Sequence, residues 1–209
     1  NKNLLIATDA YKLNHMTLYP EGTTKVYSYL IARSDKKCKE TVFYGLQALI
    51  KEYLSQEITQ SMVDEALMYR AMILGNNPPE VVEKYNALAK LGYIPLEIKA
   101  VAEGTVMPVK NALLTITNTH PDFAWVVGYV ESMLLKVWNT TTVASYSRKL
   151  RQLVEGYADA TCDNNLHCDW QVHDFGYRGC SSEETAALSG RAHLLNFFGT
   201  DTVPAVKLL

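Results

Sequence analysis

The sequence predicts an α/β protein with α+β elements: part of a parallel sheet or barrel, a small β-rich segment, and a layer of peripheral helices. Three observations lead there. Apolar residues recur at helical spacing over much of the first ninety positions. Between Ile94 and Thr117 the texture changes to short apolar runs separated by turn pairs. Near the end a strand, a helix and a second strand follow one another, which is one βαβ unit. One such unit cannot close a barrel, so the remaining strands are expected outside these 209 residues.

The elements follow in order. Leu4-Leu5-Ile6 is a short apolar run, and Asp9 is placed to cap a helical turn through Tyr11 and His15. Thr24 to Arg33 reads as a strand, because Val26, Ser28 and Leu30 alternate with Tyr27, Tyr29 and Ile31. Ser34-Asp35-Lys36-Lys37 reads as a charged loop. Thr41 to Leu54 carries Val42, Leu46, Leu49, Ile50 and Tyr53 at helical spacing. A second helix starts near Ser61, with Asp64 in its first turn. Asn76-Asn77-Pro78-Pro79 interrupts the chain, and Pro79 opens a third helix through Leu91.

Ile94–Val101, Thr105–Val109 and Ala112–Thr117 read as strands of a small antiparallel sheet or sandwich, joined at Glu103-Gly104 and Lys110-Asn111. Pro121 opens a long helix, Thr140-Thr141-Thr142 interrupts it, and a further helix reaches about Tyr157. Cys168 to Val172 reads as a buried strand ending at His173-Asp174. Ser181 to Glu184 has the capping-box pattern, and its helix runs to Phe198 with Gly199 as its left-handed stop. Thr200 to Val203 restarts a strand. The organisation expected is 1–93 as a strand and helical layer, 94–120 as a β-rich segment, and 121–209 as helices with the first βαβ part of a barrel.

Composition narrows the function classes. The chain is 48% hydrophobic and 20% charged, which is ordinary for a globular protein. A net charge of −2 argues against a dedicated nucleic-acid binder. No apolar stretch has the length of a membrane span or of a secretory signal, so a cytoplasmic location is expected. The four cysteines, Cys38, Cys162, Cys168 and Cys180, fit free thiols in a reducing compartment. Cys162, His167 and Cys168 lie close together, but their spacing fits no common metal site, and no metal is assigned there.

The densest polar and aromatic cluster is His173-Asp174-Phe175-Gly176-Tyr177-Arg178-Gly179. It falls where a strand ends and a helix is about to begin, the edge that carries sites in parallel α/β folds. Phe175 offers a flat stacking face, and Arg178 a fork for phosphate or carboxylate. A glycine-rich turn with a core phenylalanine and a solvated arginine fits the same residues. Asp201 ends the next connection and so falls on the same rim, either as an amide-accepting carboxylate or as a turn residue. The His173-Asp174 neighbours read as a structural hydrogen-bonding pair, and His193 as a satisfied core histidine. Asp9, Tyr11 and Arg33 have no local signal beyond a cap, an amphipathic aromatic and a solvated charge.

Several blocks resemble nicotinamide phosphoribosyltransferases. They are Ala7 to Lys12 with His15 and Tyr19-Pro20, Val26 to Tyr29, Glu40 to Gln47, Pro95 to Val101, and Val143-Ala144 with Ser147-Arg148. The strongest is His173 to Gly179 followed by Ser181-Ser182, Glu184 to Ala186, Ala192 to Leu194 and Gly199 to Val203. The resemblance implies a type II phosphoribosyltransferase fold, an irregular α/β barrel with a smaller β-rich domain, here incomplete. It implies transfer of phosphoribose from phosphoribosyl pyrophosphate to nicotinamide, giving nicotinamide mononucleotide and pyrophosphate. Mg2+ would accompany the donor, ATP would be a coupled substrate, and a homodimer would share its sites, unless a complementary C-terminal chain completes them.

Carried over by position, Phe175 would stack on the nicotinamide ring and Tyr11 of the partner subunit would cover it. Asp201 would accept the carboxamide N–H, and Arg178 would lie against base and ribose phosphate. Asp9 and Arg33 would enter from the partner, Arg33 onto phosphate. No catalytic residue is assigned within this portion. The alternatives are a non-catalytic N-terminal fragment that keeps packing and dimer surfaces, and a nicotinate-type enzyme, which Asp201 disfavours. Two departures stand out: Ile31 where relatives tend to carry an acid, and Pro204 where a smaller residue is usual. The latter is expected to perturb the strand after Asp201.

Overall fold

The computed structural model describes residues 2–33 and 38–209, so the charged loop expected at 34–37 lies outside the described residues. Along the chain come α1 (Lys12–His15), β1 (Tyr27–Ile31), β2 (Glu40–Val42), α2 (Leu46–Leu49), α3 (Gln60–Leu74), α4 (Pro79–Leu91), β3 (Leu96–Ala100), β4 (Val106–Pro108) and β5 (Ala112–Asn118). Then follow α5 (Val126–Tyr129), α6 (Glu131–Leu134), α7 (Val137–Thr161), α8 (Glu183–His193) and α9 (Val203–Lys207). They divide into two compact units: Asn1–Leu30 with Leu46–Ala100 and Leu114–Lys136, and Ile31–Gly45 with Val101–Leu113 and Val137–Leu209. The sequence blocks 1–93, 94–120 and 121–209 are thus each shared between the units.

In the first unit, local signals set the helices. Thr59 caps α3 by accepting from the Met62 amide, and Gly75 ends it in the left-handed region. Asp64 falls beyond the first turn, which holds no acid. Pro79 opens α4, where a missing N–H costs nothing, and Gly92 closes it. The faces these helices bury, with Val63 and Ala66 from α3 and Val81, Tyr85 and Leu88 from α4, pack with Trp125 and Tyr129. The sheet of this unit has the order β1-β5-β3, with β3 and β5 antiparallel from Leu96↔Asn118 to Ala100↔Leu114.

Arg70 and the Tyr85–Tyr129 pair are buried in this core with hydrogen-bond partners, whereas the Trp125 indole N–H is buried without one among the described residues. Arg70, 2% exposed, donates to the Leu13 and Asn76 carbonyls and to the Asn14 and Asn77 side chains. It thereby ties α1 to the turn between α3 and α4. The Tyr85 and Tyr129 hydroxyls lie 2.7 Å apart, and Tyr129 donates onward to the Leu5 carbonyl at 2.6 Å.

Several elements depart from the sequence expectations. Thr41 to Leu54 is not one helix: Glu40–Val42 pairs antiparallel with β4, and helix begins only at Leu46, continuing as a π-helical turn over Ile50–Leu54. Gly45 between them has φ +106°, and a Cβ there would stand 2.1 Å from Thr140 Oγ1. Thr140-Thr141-Thr142 does not break a helix either, since α7 runs unbroken for 25 residues. Helix breaks fall before it instead, in short turns from Pro121 to Leu134. The threonine hydroxyls are used: Thr140 donates to the Tyr44 and Val137 carbonyls, and Thr141 Oγ1 bonds both the Tyr44 amide and carbonyl. These contacts to a distant loop override the modest helix penalty of β-branching.

The expected βαβ unit is reduced to its essentials. Leu166–Trp170 is a 3-10 turn rather than a strand, with Cys168 buried and Trp170 exposed. The parallel pairing survives as one isolated bridge, Asp174↔Thr200. Helix α8 is capped by Ser182, one residue after the expected Ser181, and ends at His193 rather than Phe198. After Asp201 the chain turns into α9, not a strand, with Pro204 in its first turn.

Burial raises the Tyr85 phenol from 10.0 to about 12, against smaller opposing effects of the Tyr129 hydrogen bond and Arg70. Burial raises Tyr129 as well. An unfolded chain ionises near the ordinary value, so stability is complete below it and is lost as pH rises towards the folded value. Denaturant midpoints are therefore expected to fall steeply between pH 10 and about 12. Tyr85→Phe should cost about 1 kcal/mol at neutral pH and flatten part of that alkaline slope.

Candidate functional site

The loop from His173 to Gly179 and the residues around Asp201 form one polar rim in the second unit. The Asp174 carbonyl accepts the Asp201 amide at 2.9 Å, next to the parallel bridge with Thr200. His193, at the end of α8 between the two bridged segments, holds both. Its Nε2 lies 3.2 Å from the Val172 carbonyl and 3.1 Å from the Gly199 carbonyl, and its Nδ1 lies 3.1 Å from Ser147 Oγ. The imidazole stacks on Phe197 at 5.0 Å. This is the satisfied core histidine the sequence leads one to expect, and it fixes the register of the rim.

Alternation then sorts the side chains. Asp174 turns back into the fold: Oδ1 accepts the Gly176 amide at 3.1 Å and starts the turn of Gly176–Gly179. His173 and Phe175 are exposed, with their rings 30° from parallel and 6.5 Å apart. His173 pairs not with its neighbour Asp174 but with Asp201, Nδ1 to Oδ2 at 2.8 Å. That leaves Asp201 Oδ1 as the carboxylate oxygen outside the pair. Gly199 makes this possible: a Cβ there would lie 2.4 Å from His173 Cδ2.

Phe175, 58% exposed, and Asp201 therefore share one edge, linked through His173. Arg178 is exposed three residues on and forms no ion pair among the described residues, so its fork is available to an anion. Arg33 is exposed just beyond β1 and likewise forms no ion pair among the described residues.

Asp9 and Tyr11 belong to the first unit. Tyr11 is 54% exposed, edge-on to His15 at 5.0 Å, with Lys12 Nζ 5.1 Å from its ring. Asp9 does not cap α1 with its side chain. Its carboxylate accepts from the Ser132 hydroxyl, and its carbonyl accepts the Lys12 amide. Both are placed at the surface, and neither has a local sequence signal that would single it out.

The four cysteines are free, and Cys162 and Cys168 each approach His167 Nε2 at 3.9 Å. Among the described residues no helix is long and apolar enough to cross a membrane.

Comparison with known proteins supports the resemblance. Residues 3–83 match the profile described as nicotinamide phosphoribosyltransferase, N-terminal domain, and residues 170–209 match the nicotinate phosphoribosyltransferase family. A nicotinamide phosphoribosyltransferase of Xanthomonas campestris is 37% identical over 99% of this chain and 44% of its own length. Those of Acinetobacter baylyi and Mycoplasma genitalium are 35% and 31% identical, with 43% and 49% of their lengths covered. The chain thus spans less than half the length of these relatives. The crystal structure of human nicotinic acid phosphoribosyltransferase has the same fold over 96% of this chain and 37% of its own, with a TM-score of 0.66 at 18% identity.

Gly199→Ala is expected to expel the His173 ring and cost about 1–3 kcal/mol in chemical denaturation, as overpacking does. Gly179→Ala, where a Cβ meets nothing within 4 Å, should change stability by less than about 0.5 kcal/mol. Equal effects at the two glycines would contradict the close approach of ring to backbone.

Proposed function

We propose that this chain carries the base-reading part of a nicotinamide phosphoribosyltransferase, which joins nicotinamide to phosphoribosyl pyrophosphate and releases nicotinamide mononucleotide and pyrophosphate for NAD salvage. The observation that carries this reading is the shared edge of Phe175 and Asp201, with one Asp201 oxygen engaged by His173 and the other turned to no partner among the described residues. A pyridine ring laid on Phe175 would bring its carboxamide to that oxygen. An amide N–H donates to a carboxylate, whereas the carboxylate of nicotinate would meet it as a like charge.

The reaction forms a C–N bond between the pyridine nitrogen and the anomeric carbon while the bond to pyrophosphate breaks. Its transition state resembles an oxocarbenium ion, as in glycoside cleavage. The protein's work is to align the nitrogen with that carbon and to offset phosphate charge. Phe175 and Tyr11 would enclose the ring, and the cationic product would also be held by cation–π attraction. Arg178 would meet the ribose phosphate, and Arg33 a phosphate oxygen. Tyr11, Asp9 and Arg33 would serve the site of a second copy, in a homodimer with shared sites, or of a complementary chain. Four free thiols accord with a cytoplasmic setting.

Magnesium would arrive with the donor's pyrophosphate. Among the described residues no group of three or more His, Cys, Asp or Glu is gathered to hold a metal ion. We propose for this portion the reading of the base.

A nicotinate-type reading has one observation in its favour, the match of residues 170–209 to the nicotinate family. Selectivity separates the two. In the protein carrying this chain, kcat/KM should favour nicotinamide over nicotinate, and Asp201→Asn should shrink that preference about tenfold or more, ~1.4 kcal/mol. A wild-type preference for nicotinate, or an unchanged ratio in the variant, would contradict the carboxamide role. Tyr11→Ala should weaken nicotinamide binding by about 1 kcal/mol or more; unaltered affinity would remove Tyr11 from the site.

A further inference from the structure

The segment that presents Asp9 and Tyr11 cannot hold itself. Helix α1 has four residues, Tyr11 begins it without a side-chain cap, and so short a helix has little stability of its own. Besides the Arg70 bonds to Leu13 and Asn14, three side-chain bonds pin it to the stretch Tyr129–Ser132 of the same unit. Thr8 Oγ1 donates to the Tyr129 carbonyl at 3.0 Å, Ser132 Oγ donates to Asp9 Oδ2, and Lys12 Nζ bonds Glu131 Oε2.

The Lys12 bond is the most constrained. Its side chain is 5% exposed, whereas Glu131 is 52% exposed. A buried ammonium needs its partner, so Lys12 follows Glu131. The same ammonium lies 5.1 Å from the Tyr11 ring. Hence Glu131 bears on Tyr11 through Lys12, and Ser132 bears on Asp9 directly.

We infer that Ser132 and Glu131 are positioning residues for nicotinamide binding: they fix the pose in which Asp9 and the Tyr11 ring are offered to the base. This rests on the placement of Tyr11 over nicotinamide argued above. The pair needs no contact with substrate, and its signature is a change in KM at nearly constant kcat. Pre-organising the aromatic cover lowers the ordering cost of binding without touching the reacting atoms.

The test uses the protein carrying this chain, with nicotinamide as varied substrate. Ser132→Ala and Glu131→Gln should each raise KM for nicotinamide about three- to tenfold while kcat stays within about twofold. Ser132→Thr, which keeps the hydroxyl, should restore KM. Asn3→Ala serves as the comparison for general loosening, because Asn3 bonds Met62 and Glu65 in the same unit but touches neither Asp9 nor Lys12. It should lower the melting temperature without raising KM. If Tyr11→Ala raises KM but Ser132→Ala and Glu131→Gln do not, the cover stands and the positioning role is wrong. If Asn3→Ala raises KM as much as they do, the effect is general loosening and the role is again wrong. If Tyr11→Ala itself has no effect, the placement of the cover fails first.

Discussion

One imidazole keeps two backbone segments in register. His193 Nε2 faces the carbonyls of Val172 and Gly199 together, just before the residues that make the isolated parallel bridge Asp174↔Thr200. A lone bridge has none of the cooperativity of a ladder, so its register must be set from outside. His193 can do so because Ser147 and Phe197 fix its ring from the other side. Everything on the rim follows from that register. A slip of one residue would exchange the exposed and inward positions of 173 to 175. It would turn Phe175 inward and bring the Asp174 carboxylate out.

Close approach is the second requirement. The His173 ring lies against bare backbone at Gly199 and reaches Asp201 because no side chain intervenes. Asp201 is thereby held by a ring nitrogen at one oxygen, which orients its other oxygen. A carboxylate so oriented discriminates between an amide and an acid by charge, and it does so without ordering on binding. The proposed stacking face and amide reader thus come from residues 26 apart in sequence, Phe175 and Asp201, through one bridge and one ring.

Much of this was legible in the sequence where the signal was local. Pro79 opens α4 as read from the sequence, and α3 starts within a residue of the expected Ser61. The rim motif from His173 to Gly179 stood out by composition. What was not legible came from contacts distant in sequence. Thr140 and Thr141 look like a helix break until their hydroxyls are seen bonding the Tyr44 backbone. Val42 has a helical neighbour pattern but pairs with Val106 in a sheet. Cys168 is buried while Trp170 beside it is exposed, a pattern that strand periodicity misread. His173 sits next to an aspartate in sequence, yet bonds the one at 201. Asp9 and Tyr11 drew their interest from family resemblance alone, and the bonds that hold them run to Ser132 and, through Lys12, to Glu131.

The central claim is geometric: one edge, built on the 174–200 bridge, offers an aromatic face and a free carboxylate oxygen to the same pyridine. The most direct measurement is a crystal structure of the protein carrying this chain with nicotinamide bound. The expected result is a ring lying against Phe175 with its carboxamide nitrogen within hydrogen-bonding distance of Asp201, and His173 still on the other carboxylate oxygen. A nicotinamide bound away from Phe175, or one whose carboxamide faces a group other than Asp201, would contradict it.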